Sequence, residues 1–233
     1  MAPMALYGAL QAWRTFRIFT RDASLVQLQS HSTANELLVY ASLLAAAVFN
    51  LVYMFLIVLR LMGRLTYLVD HDALTGLLNR RAIQALLERE WARWRRMGQP
   101  FTVMALDLDH FKQINDRWGH PAGDAVLRHT AVLLAREVRE VDAVGRVGGE
   151  EFLVLMPGCA PTSATNVAER LRCALRAGPV NVGEAEPVPV TASIGVAAHH
   201  TGVVSMQAIQ QRADQAMYDA KKAGRNRVSM LAP

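Results

Sequence analysis

Two glycines and two acids stand together at Gly148-Gly149-Glu150-Glu151, and two further acids, Asp107 and Asp109, close the apolar run that starts at Phe101. The glycine pair lies between the apolar runs Val141–Val147 and Phe152–Met156. There it reads as a tight hairpin turn whose central residues need positive φ. That puts Glu150 and Glu151 on the first residues of the outgoing strand, beside glycines that let another molecule approach the backbone. If the hairpin strand pairs with the Phe101–Asp107 run, Asp107 meets Glu150 and Glu151. Such a set of hard oxygen ligands suits Mg²⁺ or Mn²⁺. A divalent cation in a site for phosphates implies metal-assisted phosphoryl or nucleotidyl transfer. Each acidic run alone fits a solvated loop equally well, so their conjunction carries the reading.

The neighbouring residues supply the rest of a nucleotide site. His110-Phe111-Lys112 opens a helix, where free backbone N–H groups form a phosphate seat to which Lys112 adds charge. Lys221, Arg225 and Arg227 cluster around Gly224; taken alone, they fit a basic helix end complementing its dipole. Asn115 and Asp124 flank the turn Trp118-Gly119-His120-Pro121. A carboxylate accepts from guanine N1–H and N2–H₂, a donor pair that adenine lacks, so a buried Asp124 would select guanine. Without that context the two residues read as helix caps around a turn. Arg139 and Asp142 stand three apart, a spacing that shares a face if the preceding helix reaches them; on spacing alone they read as a surface ion pair.

These side chains need a scaffold, and the patterning provides one. Helices are expected over Asn79–Met97, Phe111–Trp118, Pro121–Val138, Thr162–Arg176 and Ser205–Ala223. Strands are expected at Phe101–Asp107, on both arms of the hairpin, at Val188–Ala197 and at Arg227–Leu231. Asp72 to Gly76 reads as a turn leading into the first of these helices. Strands alternating with helices around one hairpin give an α/β domain over residues 72–233.

Ahead of it, Leu37 to Leu59 holds no charged residue and one strongly polar one, Asn50. As a helix these 23 residues would be about 34 Å long, enough to cross a hydrocarbon core of ~30 Å. A buried helix or a dimer coiled coil is the other reading of the same run. Residues 1–62 thus read as an N-terminal membrane segment, with a transmembrane helix at about 37–59. Arg60 and Arg64 suit a cytoplasmic end, although Arg14, Arg17 and Arg21 argue for the opposite direction. Residues 1–13 are too short to span and lack a basic n-region, so cleavage is not expected. Residues 63–71, with the stripe Leu61, Leu65 and Leu68, read as a connecting helix.

The net charge of +5 in 233 residues, mostly from arginine, suits an anionic membrane surface or a phosphate-bearing ligand. No nucleic-acid-binding module is present in the sequence, and nucleic acid is not an expected partner. The two cysteines, Cys159 and Cys173, have no metal-ligand neighbours and read as reduced core thiols.

From about Asp72 to Val228 the chain resembles the GGDEF domain, the diguanylate cyclase family. The matching stretches are DALTGLLNRR (72–81), LDLDHFKQINDRWGHPAGDAVL (106–127), RVGGEEF (146–152), TASIGVA (191–197) and ADQAMYDAKKAGRNRV (213–228). Their order, over nearly two-thirds of the chain, makes the resemblance specific. It implies a nucleotidyl-cyclase or palm-like fold, with a central, mostly antiparallel sheet flanked by helices. It also implies condensation of two GTP molecules into cyclic di-GMP with release of two pyrophosphates, by a homodimer in which each domain holds one GTP. The signature here has Glu where the family name has Asp, a substitution that active members carry.

Position by position, the resemblance assigns metal binding to Asp107, Glu150 and the Leu108 carbonyl. It makes Glu151 a second metal ligand or a participant in activating the 3′-hydroxyl, and these two roles stay open. Asn115 and Asp124 would read guanine; the backbone at His110, Phe111 and Lys112, with Lys221 and Arg225, would bind the β- and γ-phosphates. Arg139 and Asp142 match an RxxD site for inhibitory cyclic di-GMP, with Arg170 on the following helix as a further partner. The rival is a silent domain that binds GTP or cyclic di-GMP as a receptor. Silent members usually lose the acids or the guanine contacts, and this chain keeps both. The expected location is the inner membrane, with the catalytic domain in the cytoplasm.

Overall fold

The computed structural model describes residues 33–182, 186–198 and 205–231 together with Trp13; at 33–36, 38 and 63–68 it describes the backbone alone. The expectations for residues 1–12, for Arg14, Arg17 and Arg21, and for the side chains of Arg64, Leu65 and Leu68 fall outside that set. The chain divides between Arg64 and Leu65 into two units.

The first described element, helix α1, runs from Thr33 to Asp70 without a break. It covers both the apolar stretch and the expected connecting segment, consistent with a sequence there that holds no proline and one glycine, Gly63. Its window Val39–Met62 is long and apolar enough to cross a membrane, and large side chains such as Leu44, Leu51 and Phe55 stand exposed along it.

The second unit is built on one six-stranded sheet. Its strands are β1 (Leu78–Asn79), β2 (Phe101–Leu108), β3 (Ala143–Arg146), β4 (Glu151–Pro157), β5 (Ala192–Ala198) and β6 (Val228–Met230), in the spatial order β1-β3-β4-β2-β5-β6. The three inner pairings, β3–β4, β4–β2 and β2–β5, are antiparallel, and the two outer ones are parallel. The sheet is therefore mixed and mostly antiparallel, as expected.

Helices cover both faces, which is why every residue of β2 is buried. Alternate residues Met104, Leu106 and Leu108 pack with helices α3 (Phe111–Trp118), α4 (His120–Glu137) and α5 (Pro161–Ala177). Phe101, Val103 and Ala105 face helices α2 (Arg80–Met97) and α6 (Met206–Lys222). The caps explain the boundaries of two of these helices. Asn79 accepts from the Ala82 N–H at the start of α2, and Ser205 accepts from the Ala208 N–H at the start of α6.

Two expectations need correction. The strand expected from Val188 begins only at Ala192, and Val188 pairs instead with Val180 in an isolated bridge. Pro187 and Pro189 lack the N–H that a ladder requires. Of the two free thiols, Cys159 is buried but Cys173 is exposed on α5, so only one belongs to the core.

Candidate active site

The sheet places Asp107, the next-to-last residue of β2, directly opposite Glu151, the first residue of β4. Side chains directly opposite on paired strands share a face, and here the face is the one covered by α6. From α6, Lys221 Nζ reaches Asp107 Oδ2 at 2.7 Å. The Leu108 N–H donates to the Glu150 carbonyl at 3.3 Å, drawing the hairpin loop against the strand end.

Crowding of like charge marks the site. Burial pushes the Asp107 carboxyl above its ordinary value; Lys221 opposes this, while Glu151 and Asp109 add to it. Glu150 is also raised, by burial first and then by Asp107. Asp214 on α6 is raised by burial and by Glu151, and it lines with Glu151 and Arg80 a cleft of about 340 Å³ between α2, α6 and the sheet. Among the described residues no three His, Cys, Asp or Glu side chains form a closed cage for a metal ion. Two desolvated carboxylates short of positive charge nevertheless fit a divalent cation that takes its remaining oxygens from main chain and ligand.

The loop between β3 and β4 is not the expected tight turn. Neither Gly148 nor Gly149 has positive φ, and the N–H groups of Val147 and Gly148 both point at the Glu151 carbonyl, at 2.9 and 3.4 Å. The four-residue connection Val147–Glu150 spreads the reversal, so no left-handed residue is needed. Gly148 matters for space instead: a Cβ there would lie 2.4 Å from Glu151 Oε2. Arg146 holds the loop from below, with Nη2 and Nε on the Gly149 carbonyl at 2.8 and 3.1 Å and Nη1 on Asp72 at 3.1 Å.

At the other side of the strand end, His110 takes the left-handed conformation (φ 58°) and starts α3 without a side-chain cap. The first amides of α3 therefore have no capping side chain, with Lys112 exposed beside them and Phe111 sunk into the core. Phe111 can serve a ligand only through its backbone. Asn115 on α3 packs over Gly123 on α4, the residue before Asp124, so closely that a Cβ on Gly123 would clash with Asn115 Oδ1. Asp124 is not buried as expected: its side chain is 48% exposed and lies 3.8 Å from Arg128. Arg225, in the loop after α6, has φ 61° and is fixed by its N–H on the Ala220 carbonyl at 3.1 Å.

The diguanylate cyclase GGDEF domain family matches residues 69–227 of this chain. The chain belongs to the GGDEF family. It is 45% identical over 159 residues to "Diguanylate cyclase DgcP" of Pseudomonas aeruginosa, covering 68% of this chain and 23% of that protein. It is 43% identical over 158 residues to "Response regulator PleD" of Caulobacter vibrioides, covering 67% of this chain and 35% of that protein. The chain thus spans about a quarter to a third of the length of these curated relatives. Among solved structures, the coiled coil and GGDEF domain of DgcB from Caulobacter crescentus, in complex with c-di-GMP, matches with a TM-score of 0.76 at 29% identity. That match covers 81% of this chain and 99% of that one. Diguanylate cyclase SiaD of Pseudomonas aeruginosa, in complex with its activator SiaC, matches with a TM-score of 0.68 at 36% identity over 99% of this chain and 88% of that one.

Within this GGDEF domain, Arg139 and Asp142 do meet, though not on a helix. Helix α4 ends at Glu137, and the pair closes a turn in which the Asp142 N–H donates to the Arg139 carbonyl at 2.9 Å. The guanidinium holds Asp142 at 2.7 and 3.2 Å and the Pro157 carbonyl at 3.1 Å. Arg170 is engaged elsewhere: Nε lies 2.7 Å from Glu137 Oε2, and Nη2 lies 2.6 Å from the Glu137 carbonyl. Sequence reasoning assigns no role to Asp72, Arg80, Arg146 or Asp214 and names Asp109 only as an acid at the strand end. All five lie inside the stretches that carry the family resemblance, and that position is the one available signal for them.

Proposed function

We propose that this protein condenses two GTP molecules into cyclic di-GMP, releasing two pyrophosphates, as a homodimer in which each domain holds one GTP. The observation that carries the reading is Asp107 facing Glu151 across β2 and β4, with Lys221 supplying the nearest positive charge. Asp107, Glu150 and the Leu108 carbonyl would hold Mg²⁺ or Mn²⁺, which when bound offsets charge on the phosphates and on the leaving group. The uncapped start of α3 at His110, Phe111 and Lys112, with Lys221 and Arg225, receives the β- and γ-phosphates. Asn115 and Asp124 read guanine, Asp124 accepting the donor pair that only guanine offers.

In each half-reaction the 3′-oxygen of one GTP forms a bond to the α-phosphorus of the other, and the bond from that phosphorus to the β-bridging oxygen breaks. The pyrophosphate leaves with its electron pair, and the 3′-hydroxyl proton passes to a base or to water. Glu151, at the face of the partnered strand, either accepts that proton or completes a second metal site. Product then binds at Arg139 and Asp142, with Arg170 as a further contact, and holds two domains in an unproductive arrangement. Helix α1 tethers the enzyme to the inner membrane with the domain on the cytoplasmic side, a direction that Arg60 and Arg64 favour.

The test is incubation of the purified chain with GTP and Mg²⁺ and chromatography for cyclic di-GMP, with Glu151→Ala alongside. Product from the wild type and none from the variant supports enzyme and site together. GTP binding without product, even when the domains are dimerised by force, would overturn the catalytic reading in favour of a receptor.

A further inference from the structure

Asp109 takes no part in the chemistry described above, yet it is among the most heavily engaged carboxylates in the domain. It is 4% exposed. Its Oδ1 accepts from Ser193 Oγ at 2.7 Å, and its Oδ2 accepts from Thr191 Oγ1 at 2.8 Å and from the Asn226 main-chain N–H at 3.0 Å. Its own N–H donates to the Thr191 carbonyl at 2.9 Å. One side chain therefore joins the end of β2, the start of β5 and the loop between α6 and β6.

The backbone around it is unusual. Among the described residues three non-glycines have positive φ: His110 at 58°, Arg225 at 61° and Asn226 at 46°. All three adjoin this carboxylate. His110 follows it in the chain, Asn226 donates to it, and Arg225 precedes Asn226. Two successive left-handed residues carrying a Cβ do not keep that shape by intrinsic preference, so the surroundings must impose it. The opposite side of the loop is gripped from α5, where Arg172 Nη1 donates to Asn226 Oδ1 at 2.9 Å while Glu169 holds Arg172 at 2.7 Å.

We propose that Asp109 is a positioning residue for the triphosphate. It clamps the 224–226 loop to the strand end, so that Arg225 and the start of α3 converge on the same phosphates. The inference rests on the GTP reading above and adds how the phosphate grip is assembled. The guanine contacts should depend on it less, because Asn115 lies a turn into α3 and Asp124 on α4, whereas the bond from Asn226 fixes the 224–226 loop.

The test compares the full chain in detergent with Asp109→Asn and Asn226→Gly, measuring Mg²⁺-dependent binding of a non-hydrolysable GTP analogue and of GMP, which lacks the β- and γ-phosphates. Asp109→Asn is expected to weaken the analogue by about ten-fold, the worth of one charge-assisted contact, and GMP by less than about two-fold on the same scale. Asn226→Gly keeps the donated N–H and tolerates the left-handed φ but loses Arg172, so it should shift the same ratio in the same direction by a smaller factor. Equal losses for both ligands with a lowered thermal midpoint would make Asp109 a structural buttress and overturn the proposal. An unchanged ratio in a folded Asn226→Gly would overturn it too, even if Asp109→Asn did not fold. If the wild type bound GMP as tightly as the analogue, the phosphate seat itself would be wrong, a result distinguishable from either of these.

Discussion

Arg146 and Asp72 lie 74 positions apart in sequence and 3.1 Å apart in space, and the same guanidinium holds the Gly149 carbonyl at 2.8 Å. Asp72 in turn accepts from the Thr75 N–H and hydroxyl at 2.9 and 2.6 Å, fixing the turn that follows α1. The main chain of the acidic loop is thereby fastened to the residues that open the domain. Side-chain exposures of 15% and 25% make this a partly buried pair, one that outlasts salt better than a surface pair does.

Arg146→Ala should therefore lower both stability and turnover. Removing the guanidinium takes the charged partner from Asp72 and a donor from the Gly149 carbonyl; water and Thr75 still reach these groups, so the cost is about 1 kcal/mol. The pH dependence follows from Asp72. Burial works to raise its pKa, but hydrogen bonds from Thr75 and Arg146 outweigh that and leave it below 3.8. A depressed carboxylate stabilises the fold fully above its unfolded value, and that stabilisation is lost as pH falls through the folded one. Urea unfolding at pH 7 and below pH 3.8 should show the difference between wild type and variant shrinking at the acid end. A difference that stayed constant would remove Asp72 from the account.

Much of the domain was legible in the sequence because its signals are local. The starts of α2 and α6, the apolar run of β2 and the acids at its end are each marked by residues within or beside the element itself. The Asp72–Arg146 pair and the Asp109–Asn226 bond were not legible, since they join segments 74 and 117 positions apart. The glycine pair misled for a physical reason. Gly-Gly suggests left-handed turn residues, whereas the loop needs Gly148 to leave room for Glu151 and makes no such demand at Gly149. Arg139 and Asp142 meet by a route their spacing does not reveal: α4 stops at Glu137, and a turn rather than a helix face brings the two together.

The two glycines should accordingly separate on mutation. Ala at Gly148 puts a methyl where the Glu151 carboxylate lies, and that flexible end moves aside at little cost to the fold. Ala at Gly149 meets nothing within 4 Å. Gly148→Ala is expected to lower kcat by about ten-fold or more, as a displaced reacting group does, with an unchanged thermal midpoint. Gly149→Ala should retain most of the rate. Equal effects of the two on kcat would count against a positional role for Glu151.

Metal dependence should carry the signature of the crowded carboxylates. Asp107 and Glu150 are raised from 3.8 and 4.5, so their contribution to stability is fully present below those values and lost as pH rises through the folded ones. A bound cation reverses this by favouring the ionised forms. Mg²⁺ should raise the thermal midpoint at pH 7.5, and the increment should shrink as the pH is lowered toward the raised carboxylate values. Lys221→Met, which takes the ammonium from Asp107, should enlarge the increment at pH 7.5. An increment independent of pH would place the metal elsewhere.

Product inhibition should depend on a competition visible in the ion pairs. Arg139 is already aimed at Asp142, and Arg139→Ala should abolish inhibition by added cyclic di-GMP while leaving the initial rate intact. Arg170 is different, because Glu137 occupies it through both a carboxylate oxygen and a main-chain carbonyl. Arg170 first, then Arg136, holds the Glu137 carboxyl below its ordinary value. A product molecule that recruits Arg170 must displace Glu137, so Glu137→Gln should tighten inhibition by roughly two- to five-fold, the worth of an exposed ion pair. Inhibition curves at several salt concentrations would check this: the gap between wild type and Glu137→Gln should narrow as salt screens the pair. If Glu137→Gln left the curve unmoved while Arg139→Ala abolished inhibition, Arg170 would have no part in product binding.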